Sequence, residues 1–447
     1  MSALAQILHG QGHPVRGSEQ VHSKTVTLLE KHGIRVFLGH RAQNVQGADC
    51  VVRSSAIPPD NEEMLEAQKK GIPIVHRAAL LARLAVKFQT VAVAGMHGKT
   101  TTTNMIYHAF RASGMDPTLI SGGIDMGVGS NAHLGRDPVL VLEADESDGS
   151  LVFFHPHSAV LTNMEEEHMG FYSNLQQIRD VFRAFASHVR YPGCVAYNAD
   201  DENLVSLAGE TAVPFVSFGI HHDATISARN VNEQREGVGF DVFERGSMLG
   251  TITLRVGGMH NVANALAAIT IARHRDIGFE TIRQGLEDFK GTMRRMELKA
   301  QVHGVKVFDD YAHHPTEVRA SLEALSHQKE GKLVVVFQPH RYSRVSHLGE
   351  DFARSFACAD EVVLVPIFSA GESNPGGVSS EDLAHRVKWL GHPMVRTCES
   401  LREVAAQLTS RLQAGDVVVG MGAGDIEQFA PMMKDSLLNA AKEVSPC

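Results

Sequence analysis

A glycine-rich stretch, AGMHGKTTTT at residues 94–103, has the residue types of a loop that binds phosphate. It follows the apolar run TVAVA and precedes a segment in which Ile106, Ala109 and Phe110 share one helical face. Backbone N–H groups at a helix start attract anions, and Lys99 adds a positive charge beside them. The spacing G-x-x-G-K-T is two residues shorter than the common G-x-x-x-x-G-K-[ST] loop. The stretch therefore predicts a phosphate site, and a turn that merely contains Gly-Lys-Thr is the alternative.

Acidic residues end a later apolar run, VLVLEADESD at residues 139–148. So many carboxylates are costly together unless water or cations neutralise them. Because Mg²⁺ prefers hard oxygen ligands and shares them with phosphate, a carboxylate at this strand end and the hydroxyl of Thr100 are candidate ligands. A solvated acidic loop is the alternative. His168, in TNMEEEHM, follows a further apolar run and is a metal ligand, a base or a residue without a chemical role.

Polar and charged residues also cluster farther along the chain. In GGMHNVANALAAI, Asn261 and Asn264 share a predicted helix face, where they bind a nucleotide base or simply cap and pack the helix. Arg294 and Arg295 lie near a predicted domain joint. Two more clusters follow strands, and they comprise Asp309, Asp310, Tyr311, His313 and His314, and then His340, Arg341 and Arg344. Arginines there suit carboxylate or phosphate recognition, and surface ion pairs are the alternative.

The elements that must position these groups follow one pattern: a short apolar run, small or polar residues, and then a helical segment. Runs rich in Val and Leu are typical of strands buried on both faces of a parallel sheet. Their alternation with helices predicts α/β domains, in which ligands collect beyond the carboxyl ends of the strands. Residues 211–256 have short alternating runs and predict a β-rich insert. Domain boundaries are expected near residues 86 and 295.

Composition narrows the class of protein. With 447 residues, 43% hydrophobic and 21% charged, the chain is typical of a soluble globular protein of about three domains. The net charge of −9 argues against a nucleic-acid partner. The five scattered cysteines, the absence of a secretory signal and the absence of an apolar run of about 18 residues predict a cytoplasmic protein without a membrane partner.

Taken together, the motifs resemble those of the Mur ligases, the ATP-dependent amide-forming enzymes of peptidoglycan synthesis. The resemblance covers nearly the whole chain and rests on the order of RSSAI, GMHGKTTTT, GGIDMGVGSNAHLG, EADESDGS, TNMEEEHM, HNVANALAA, GTMRR, DDYAHHPTEV, FQPHRYSR and GAGDI. The short G-x-x-G-K-T loop is usual in this family. The resemblance implies an α/β fold of three domains: a Rossmann-like UDP-sugar domain (1–86), a central P-loop ATPase-type domain with the β-rich insert (87–295) and a C-terminal Rossmann-like ligase domain (296–447).

The resemblance also implies roles for individual residues. It assigns ATP binding to Gly95, Met96, His97, Gly98, Lys99, Thr100, Thr101, Asn261, Asn264 and Arg295. It assigns Mg²⁺ binding to Thr100, Glu143 and His168, and catalysis to Lys99, Glu143, His168, Arg295 and Asp310. It assigns substrate binding to Ser54, Ser55, Asn131, Tyr311, His313, His314, Arg341 and Arg344.

The chemistry implied by the resemblance explains the acids and cations. Mur ligases transfer the γ-phosphoryl group of ATP to a substrate carboxylate, and an amine then attacks the acyl phosphate. Two anions approach each other in the first step, so Mg²⁺ and Lys99 would offset their repulsion. The motifs are most similar to those of members that join L-alanine to UDP-N-acetylmuramate, which implies these two substrates. We expect a monomer or homodimer.

One departure from the family concerns the N-terminus. Family members begin with an apolar strand and a G-x-G-x-x-G turn expected to hold the UDP pyrophosphate, whereas this sequence starts at Met1 of the next helix. Either the true start lies upstream, which we favour because Met is common at that position, or the UDP-sugar site is incomplete. The alternatives are a murein-tripeptide recycling ligase, a non-catalytic nucleotide-binding paralogue and a folyl-polyglutamate ligase. FQPHRYSR favours the alanine-adding members over the recycling ligase.

Overall fold

The first part of the chain alternates short strands with helices. A computed structural model describes residues 1–444, with side chains up to residue 440. The elements are α1 (Ser2–Gly10), β1 (Arg16–Glu19), α2 (Lys24–Lys31), β2 (Arg35–Leu38), β3 (Val51–Arg53), α3 (Glu62–Lys69), β4 (Ile74–His76) and α4 (Arg77–Ala85). Strand β1 pairs with β2, and β3 pairs with β4, both in parallel. Each parallel pair is joined through a helix, as the alternation of apolar and helical segments predicted.

A ten-stranded sheet forms the centre of the next part. Its strands and the neighbouring helices are β5 (Gln89–Ala94), α5 (Lys99–Ala112), β6 (Thr118–Asp125), β7 (Ser130–His133), β8 (Val139–Glu143), β9 (Ser158–Leu161), α6 (Leu175–Ser187), β10 (Val195–Asn198), α7 (Glu202–Ala208), β11 (Phe215–Gly219), β12 (Ile226–Glu233), β13 (Val238–Glu244), β14 (Ser247–Leu254), α8 (Met259–His274) and α9 (Phe279–Glu287). The strand order is β14-β13-β12-β11-β10-β9-β5-β8-β6-β7. Strands β5, β8 and β9 are parallel neighbours, so their carboxyl ends meet at one edge.

The predicted β-rich insert is confirmed. Strands β11 to β14 occupy residues 215–254 and extend the central sheet at one side instead of forming a separate layer. Strand β5 shows why the apolar runs predicted buried strands. All of its residues after Gln89 are buried, because helices cover both faces of a parallel sheet.

The last part of the chain contains a six-stranded sheet in the order β15-β16-β20-β17-β18-β19. Its elements are β15 (Glu297–Val302), β16 (Val305–Asp310), α10 (Pro315–Ser326), β17 (Leu333–Phe337), α11 (Tyr342–Ser355), β18 (Glu361–Leu364), α12 (Ser380–Trp389), β19 (Val395–Thr397), α13 (Leu401–Thr409), β20 (Val417–Met421) and α14 (Phe429–Val444). Among the described strands of this sheet, only β15 runs antiparallel to its neighbour. Alternate residues of β17 join different hydrophobic clusters: Val335 belongs to one, and Val334 and Val336 to the other. Both faces of the sheet are therefore buried.

The chain divides into two compact units. Unit 1 comprises residues 1–229, 241–252 and 262–289, and unit 2 comprises residues 230–240, 253–261 and those from 290 onward. The domain boundaries predicted near residues 86 and 295 stay a prediction. Within the part of the chain that the structure describes, no helix combines the length and the apolar character needed to cross a membrane.

Candidate functional site

The loop between β5 and α5 has a backbone that only glycine adopts readily at two positions. Gly95 has a φ of 136° and Gly98, at the start of α5, a φ of 80°. A Cβ atom at Gly95 would lie 1.9 Å from Oγ1 of Thr162, and one at Gly98 would lie 2.5 Å from Oδ1 of Asn264. The loop therefore packs tightly against its surroundings and leaves its N–H groups at the start of a 14-residue helix.

Helix α5 matches its prediction. The face formed by Ile106, Ala109 and Phe110 is fully buried, and the helix ends at Ala112, two residues before Gly114. Because the helix is anchored along this face, its first turn and the loop before it are held in place.

Asn163, after the end of β9, holds the loop between β5 and α5 that is predicted to bind phosphate. The N–H of His97 donates to Oδ1 of Asn163 at 2.8 Å, and Nδ2 of Asn163 donates to the carbonyl of His97 at 3.0 Å. The hydroxyl of Thr162 donates to the same carbonyl at 2.6 Å. The imidazole of His97 contacts the carboxylate of Glu165. These contacts hold the predicted nucleotide loop at its centre, while Met96 and Thr101 lie buried on either side of it.

The ammonium group of Lys99 makes three hydrogen bonds. It donates to the carbonyls of Gly95 at 2.6 Å and Met96 at 3.0 Å, and to Oε1 of Glu146 at 2.8 Å. Burial lowers the pKa of Lys99, but the carboxylates of Glu146 and Glu143 outweigh it, and the net pKa lies above its ordinary value. Lys99 is therefore a permanent positive charge beside the loop.

Thr100 and Glu143 meet where β5 and β8 end. The hydroxyl of Thr100 donates to Oε2 of Glu143 at 2.8 Å, and the N–H of Gly122 donates to the same oxygen at 2.8 Å. A Cβ at Gly122 would lie 2.6 Å from either carboxylate oxygen of Glu143. A hydroxyl and a carboxylate at one point are the hard oxygen donors that Mg²⁺ prefers, so these two residues fit the predicted magnesium site.

Glu146 connects Lys99 to His168. Its side chain is 1% exposed, and its Oε1 lies 3.1 Å from Nε2 of His168 as well as 2.8 Å from Nζ of Lys99. The other oxygen, Oε2, is buried and has no hydrogen-bond partner among the described residues. His168 has a φ of 57°, and the hydroxyl of Tyr172 donates to the carbonyl of Glu146. A buried carboxylate oxygen without a donor fits a site that takes up a cation.

The two predicted asparagines lie on α8 but in different units. Asn264 belongs to unit 1 and accepts a hydrogen bond from the hydroxyl of Thr102 at 3.0 Å, so it contacts the start of α5. Asn261 belongs to unit 2, and its Nδ2 donates to the carbonyl of Gly257 at 2.7 Å. Both side chains are buried. Asn264 is thus placed beside the phosphate loop.

Ser54 and Ser55, two predicted substrate residues of unit 1, form hydrogen bonds with residues other than Lys99. The hydroxyl of Ser55 lies 2.9 Å from Nε2 of His76 and donates to Asp148, whereas Ser54 is half-buried, with its carbonyl accepting from the N–H of Ile57 at 3.2 Å. Asp148 belongs to the acidic turn after β8, so this turn connects the Ser55 segment to the phosphate loop.

Asn131, the third predicted substrate residue of unit 1, lies on β7. Its Nδ2 donates to the hydroxyl of Ser2 at 3.1 Å, and its Oδ1 accepts from Nε2 of Gln6 at 3.1 Å. These contacts join α1 to the edge of the central sheet.

A second group of predicted residues lies in unit 2 around the end of β16. Asp310 is 2% exposed, and burial raises its pKa to about 6 against the opposing effects of Ser321 and Arg295. The guanidinium of Arg295 lies 5.2 Å from the ring centre of Tyr311 and forms a 3.3 Å ion pair with Glu317. A carboxyl group whose pKa approaches neutrality is able to exchange a proton near physiological pH.

Two arginines occupy the joint before β15. Arg294 also stacks on Tyr311, at 5.1 Å, and donates to Asp309 at 3.3 Å and to the carbonyl of Gly422 at 2.8 Å. These contacts tie Arg294 to the sheet. Arg295, with a side chain 31% exposed, is the more accessible of the two to a ligand.

Histidines and arginines continue this group in unit 2. The ring of His313 lies 5.2 Å from that of Tyr311 and 5.8 Å from that of His340. Burial, together with the charges of His313 and Arg344, lowers the pKa of His340 to about 3. Nη1 of Arg344 lies 3.1 Å from Nδ1 of His340. A neutral imidazole therefore lies next to a guanidinium at neutral pH.

Two predicted residues flank this group. Arg341, with a φ of 67° and a side chain 52% exposed, forms a 4.0 Å ion pair with Glu372. His314 is buried and forms the N-cap of α10 in a capping box with Glu317. In this structure His314 has a role in starting a helix, in addition to the ligand contact predicted for it.

Sequence reasoning did not single out three residues that organise these groups. Glu146 lies in the acidic run, but no spacing distinguishes it from the neighbouring carboxylates. Glu317 stands three residues after an N-cap and so carries a capping-box signal, weakened because the N-cap is a histidine. Asn163 follows an apolar run, as the other strand-end residues do. Glu317 and Asn163 could therefore have been identified from the sequence, whereas the contact of Glu146 with Lys99 is visible only in the structure.

Family comparisons match almost the whole chain. Residues 1–89 match the catalytic domain of the Mur ligase family, residues 93–272 the Mur ligase middle domain, and residues 294–424 the glutamate ligase domain of Mur ligases. Together with the relatives described next, these matches show that the chain belongs to the Mur ligase family. The resemblance inferred from the motifs and the α/β fold class are thereby confirmed.

Individual relatives narrow the comparison. A UDP-N-acetylmuramate–L-alanine ligase of Desulfosudis oleivorans is 41% identical over 95% of this chain and 93% of its own length. The crystal structure of UDP-N-acetylmuramate-alanine ligase from Thermotoga maritima is 29% identical, with a TM-score of 0.86, over 98% of this chain and 97% of that one. The crystal structure of a murein peptide ligase from Psychrobacter arcticus, 24% identical with a TM-score of 0.73 over 98% and 96% of the two chains, shares the fold.

Proposed function

We propose that this chain joins L-alanine to the lactyl carboxylate of UDP-N-acetylmuramate, converting ATP to ADP and phosphate, as a step of peptidoglycan biosynthesis. The observation that carries the proposal is the glycine loop at Lys99 and Thr100, with Glu143 and Glu146 against it, in a chain 41% identical over 95% of its length to a ligase of that name. The matched segments 1–89, 93–272 and 294–424 support domains for the UDP-sugar, for ATP and for ligation, with boundaries near residues 86 and 295.

The residues of unit 1 are proposed to bind and activate the triphosphate. The loop N–H groups between Gly95 and Thr101 and the ammonium of Lys99 hold its oxygens, and Asn264 contacts the nucleotide. Thr100, Glu143 and His168 are the proposed ligands of Mg²⁺, which when bound neutralises phosphate charge. Lys99 stabilises the charge that develops as the γ-phosphoryl group moves to the substrate carboxylate.

The residues of unit 2 are proposed to act on the nucleotide, the amino acid and the acceptor. Asn261 and Arg295 are assigned to the nucleotide side, and Asp310 to catalysis near the joint. Recognition of the amino acid and the acceptor carboxylate is assigned to Tyr311, His313, His314, Arg341 and Arg344. A guanidinium can bind a carboxylate through two parallel hydrogen bonds, which fixes its orientation as well as its charge. Ser54, Ser55 and Asn131 are assigned to the UDP-sugar.

Phosphate release tests the reaction. We expect release only when UDP-N-acetylmuramate, L-alanine, ATP and Mg²⁺ are all present, because the acyl phosphate forms on one substrate and the other consumes it. Replacing L-alanine by a murein tripeptide, with N-acetylmuramate kept as its UDP conjugate, tests the recycling ligase. Faster release with the tripeptide would favour that alternative, and release with neither acceptor would support a non-catalytic protein.

Lys99→Ala tests the phosphate loop. We expect turnover to fall at least about 100-fold, the usual cost of losing one group that stabilises transition-state charge. Circular dichroism should show that the variant folds, with a lower melting temperature than the parent because the buried carboxylate of Glu146 loses its partner. Unchanged turnover would contradict the assignment of Lys99 to phosphate.

A further inference from the structure

The N–H donors of Lys99 that could bind a phosphate are already hydrogen-bonded to acceptors within the protein. An ammonium group has three N–H bonds, and all three have acceptors here: the carbonyls of Gly95 and Met96 and the carboxylate of Glu146. A phosphate oxygen can receive a hydrogen bond from Lys99 only if one of these acceptors is given up. The carbonyls belong to the loop itself, so the contact with Glu146 is the one that a side-chain movement can break.

Glu146 cannot lose Lys99 without compensation. Its side chain is 1% exposed, and an uncompensated buried carboxylate is strongly destabilising. Its Oε1 also lies 3.1 Å from Nε2 of His168, and its Oε2 has no hydrogen-bond partner among the residues the structure describes. The carboxylate therefore has an oxygen that can accept a cation at the moment when Lys99 leaves.

We propose that Glu146 is a positioning residue that holds Lys99 in the absence of nucleotide and exchanges this lysine for a divalent cation when the triphosphate enters the loop. The inference rests on the proposed function, because it takes a metal-bound nucleotide as the ligand. Lys99 then donates a hydrogen bond to phosphate instead of to Glu146. The cation neutralises the negative charge of Glu146, which Lys99 no longer compensates. The contact with His168 places the exchange beside a proposed metal ligand.

The exchange links nucleotide affinity to the metal. Without metal, the triphosphate competes with Glu146 for Lys99, and part of its binding free energy is spent on breaking that contact. With metal, the cation compensates Glu146, so the affinity for nucleotide increases. Glu146→Gln removes the charge but keeps the shape of the side chain. Its competition with metal-free nucleotide for Lys99 and the gain in nucleotide affinity on adding metal should both become smaller. A residue with a purely structural role would weaken binding in both conditions.

Calorimetric titration of ATP into the parent, E146Q and E146A proteins, with EDTA and then with MgCl₂, tests the exchange. We expect both variants to bind metal-free ATP about tenfold more tightly than the parent does, because a charge-assisted hydrogen bond no longer opposes binding. We expect the improvement on adding MgCl₂ to be about tenfold smaller than in the parent. Turnover of E146Q should fall even though metal-free ATP binds more tightly.

Asp148→Asn is the matched control. It removes one negative charge two residues along the same turn, where the carboxylate pairs with His76 and Ser55 and not with Lys99. Its metal-free ATP affinity should stay within about twofold of the parent, a difference below 0.5 kcal/mol. Circular dichroism verifies that each variant is folded, and E146A removes the carboxylate without leaving an amide to bind Lys99.

The outcomes separate this inference from the proposed function. If the parent releases phosphate and binds ATP, but neither E146Q nor E146A binds metal-free ATP more tightly, the exchange is wrong and the function stands. An equal increase in the affinity of D148N for metal-free ATP would also contradict the exchange. The loss of any negative charge in this turn, and not the loss of the Lys99 contact, would then explain the tighter binding. If the parent neither binds ATP nor releases phosphate, the proposed function itself fails, and the exchange with it.

Discussion

At the scale of single residues, the environments of Lys99 and Asp310 show how burial and charge act against each other. Burial disfavours the charged form of both, but neighbouring carboxylates keep Lys99 charged, whereas Asp310 has less compensation and its pKa rises to about 6. One group is therefore a permanent charge and the other titrates near neutrality. This difference suits Lys99 to holding an anion and Asp310 to handling a proton.

The raised pKa of Asp310 predicts a pH dependence of stability. The folded protein keeps the proton up to about pH 6, whereas an unfolded aspartate loses it near 3.8. The resulting stabilisation is complete below pH 3.8 and is lost as the pH rises to about 6, a total of about 3 kcal/mol. We expect this component to be absent in Asp310→Asn.

Thermal melting of parent and Asp310→Asn between pH 4 and pH 8 measures this effect. The variant should gain stability relative to the parent as the pH rises from 4 to about 6, and the difference should then stay constant up to pH 8. His340 acts in the opposite direction, because its pKa of about 3 means that stability is lost as the pH falls below about 6.5. This contribution is common to both proteins and cancels in their difference. A constant difference across the range would show that Asp310 has an ordinary pKa.

At the scale of elements, the two ends of α5 both carry a glycine, but the two glycines differ in their packing, which the sequence does not show. Gly98 before the helix and Gly114 after it both have positive φ, of 80° and 88°. A Cβ at Gly98 would lie 2.5 Å from Oδ1 of Asn264, whereas one at Gly114 would have no atom of the described residues within 4 Å. The first glycine serves packing as well as backbone conformation, and the second serves the backbone alone.

Two alanine substitutions separate these contributions. Gly114→Ala should cost about 1 kcal/mol, the strain of a left-handed conformation for a residue with a Cβ. Gly98→Ala should cost clearly more, because it adds a collision with Asn264, and it should also weaken ATP binding. Chemical denaturation and calorimetry measure both. A partial recovery of Gly98→Ala by Asn264→Ala would identify the collision, and equal costs for the two glycines would contradict it.

At the scale of the whole molecule, Mur ligase domains match residues 1–89, 93–272 and 294–424, and the likeness to a solved structure has a TM-score of 0.86 over 98% of this chain. Most of the ten-stranded sheet and one buried hydrophobic cluster belong to unit 1, whereas the six-stranded sheet and two further clusters belong to unit 2. The proposed nucleotide loop lies in unit 1, and the proposed residues for the amino acid lie in unit 2. The proposed reaction therefore draws on residues of both units.

Nucleotide binding should stabilise the protein. A ligand at 100 times its Kd stabilises the folded state by about 2.7 kcal/mol. We expect MgATP at that concentration to raise the melting temperature of the parent by several degrees and to leave Lys99→Ala nearly unchanged. Differential scanning calorimetry records this directly, and an equal rise in both proteins would mean that the nucleotide binds away from the loop.

The elements could largely be predicted from the sequence, because the period of the apolar residues determines whether a segment is a strand or a helix. The Lys99 loop, the acidic turn and the clusters after β16 and β17 were found at strand ends for this reason. The β-rich insert was predicted as well, from its alternating runs. Its position along one side of the central sheet could not be predicted, because strand order depends on packing between segments distant in sequence.

What the sequence determined by itself is the family and the position of the glycine loop proposed to bind phosphate, since both rest on consecutive residues and on the order of motifs. What only the tertiary structure decided is which side chains meet there. Among the neighbouring acids, Glu146 contacts Lys99 and Glu143 contacts Thr100, because the turn after β8 directs their side chains differently. Asn264 reaches the start of α5 from 162 residues beyond Thr102. Such contacts arise from chain folding, and no local spacing encodes them.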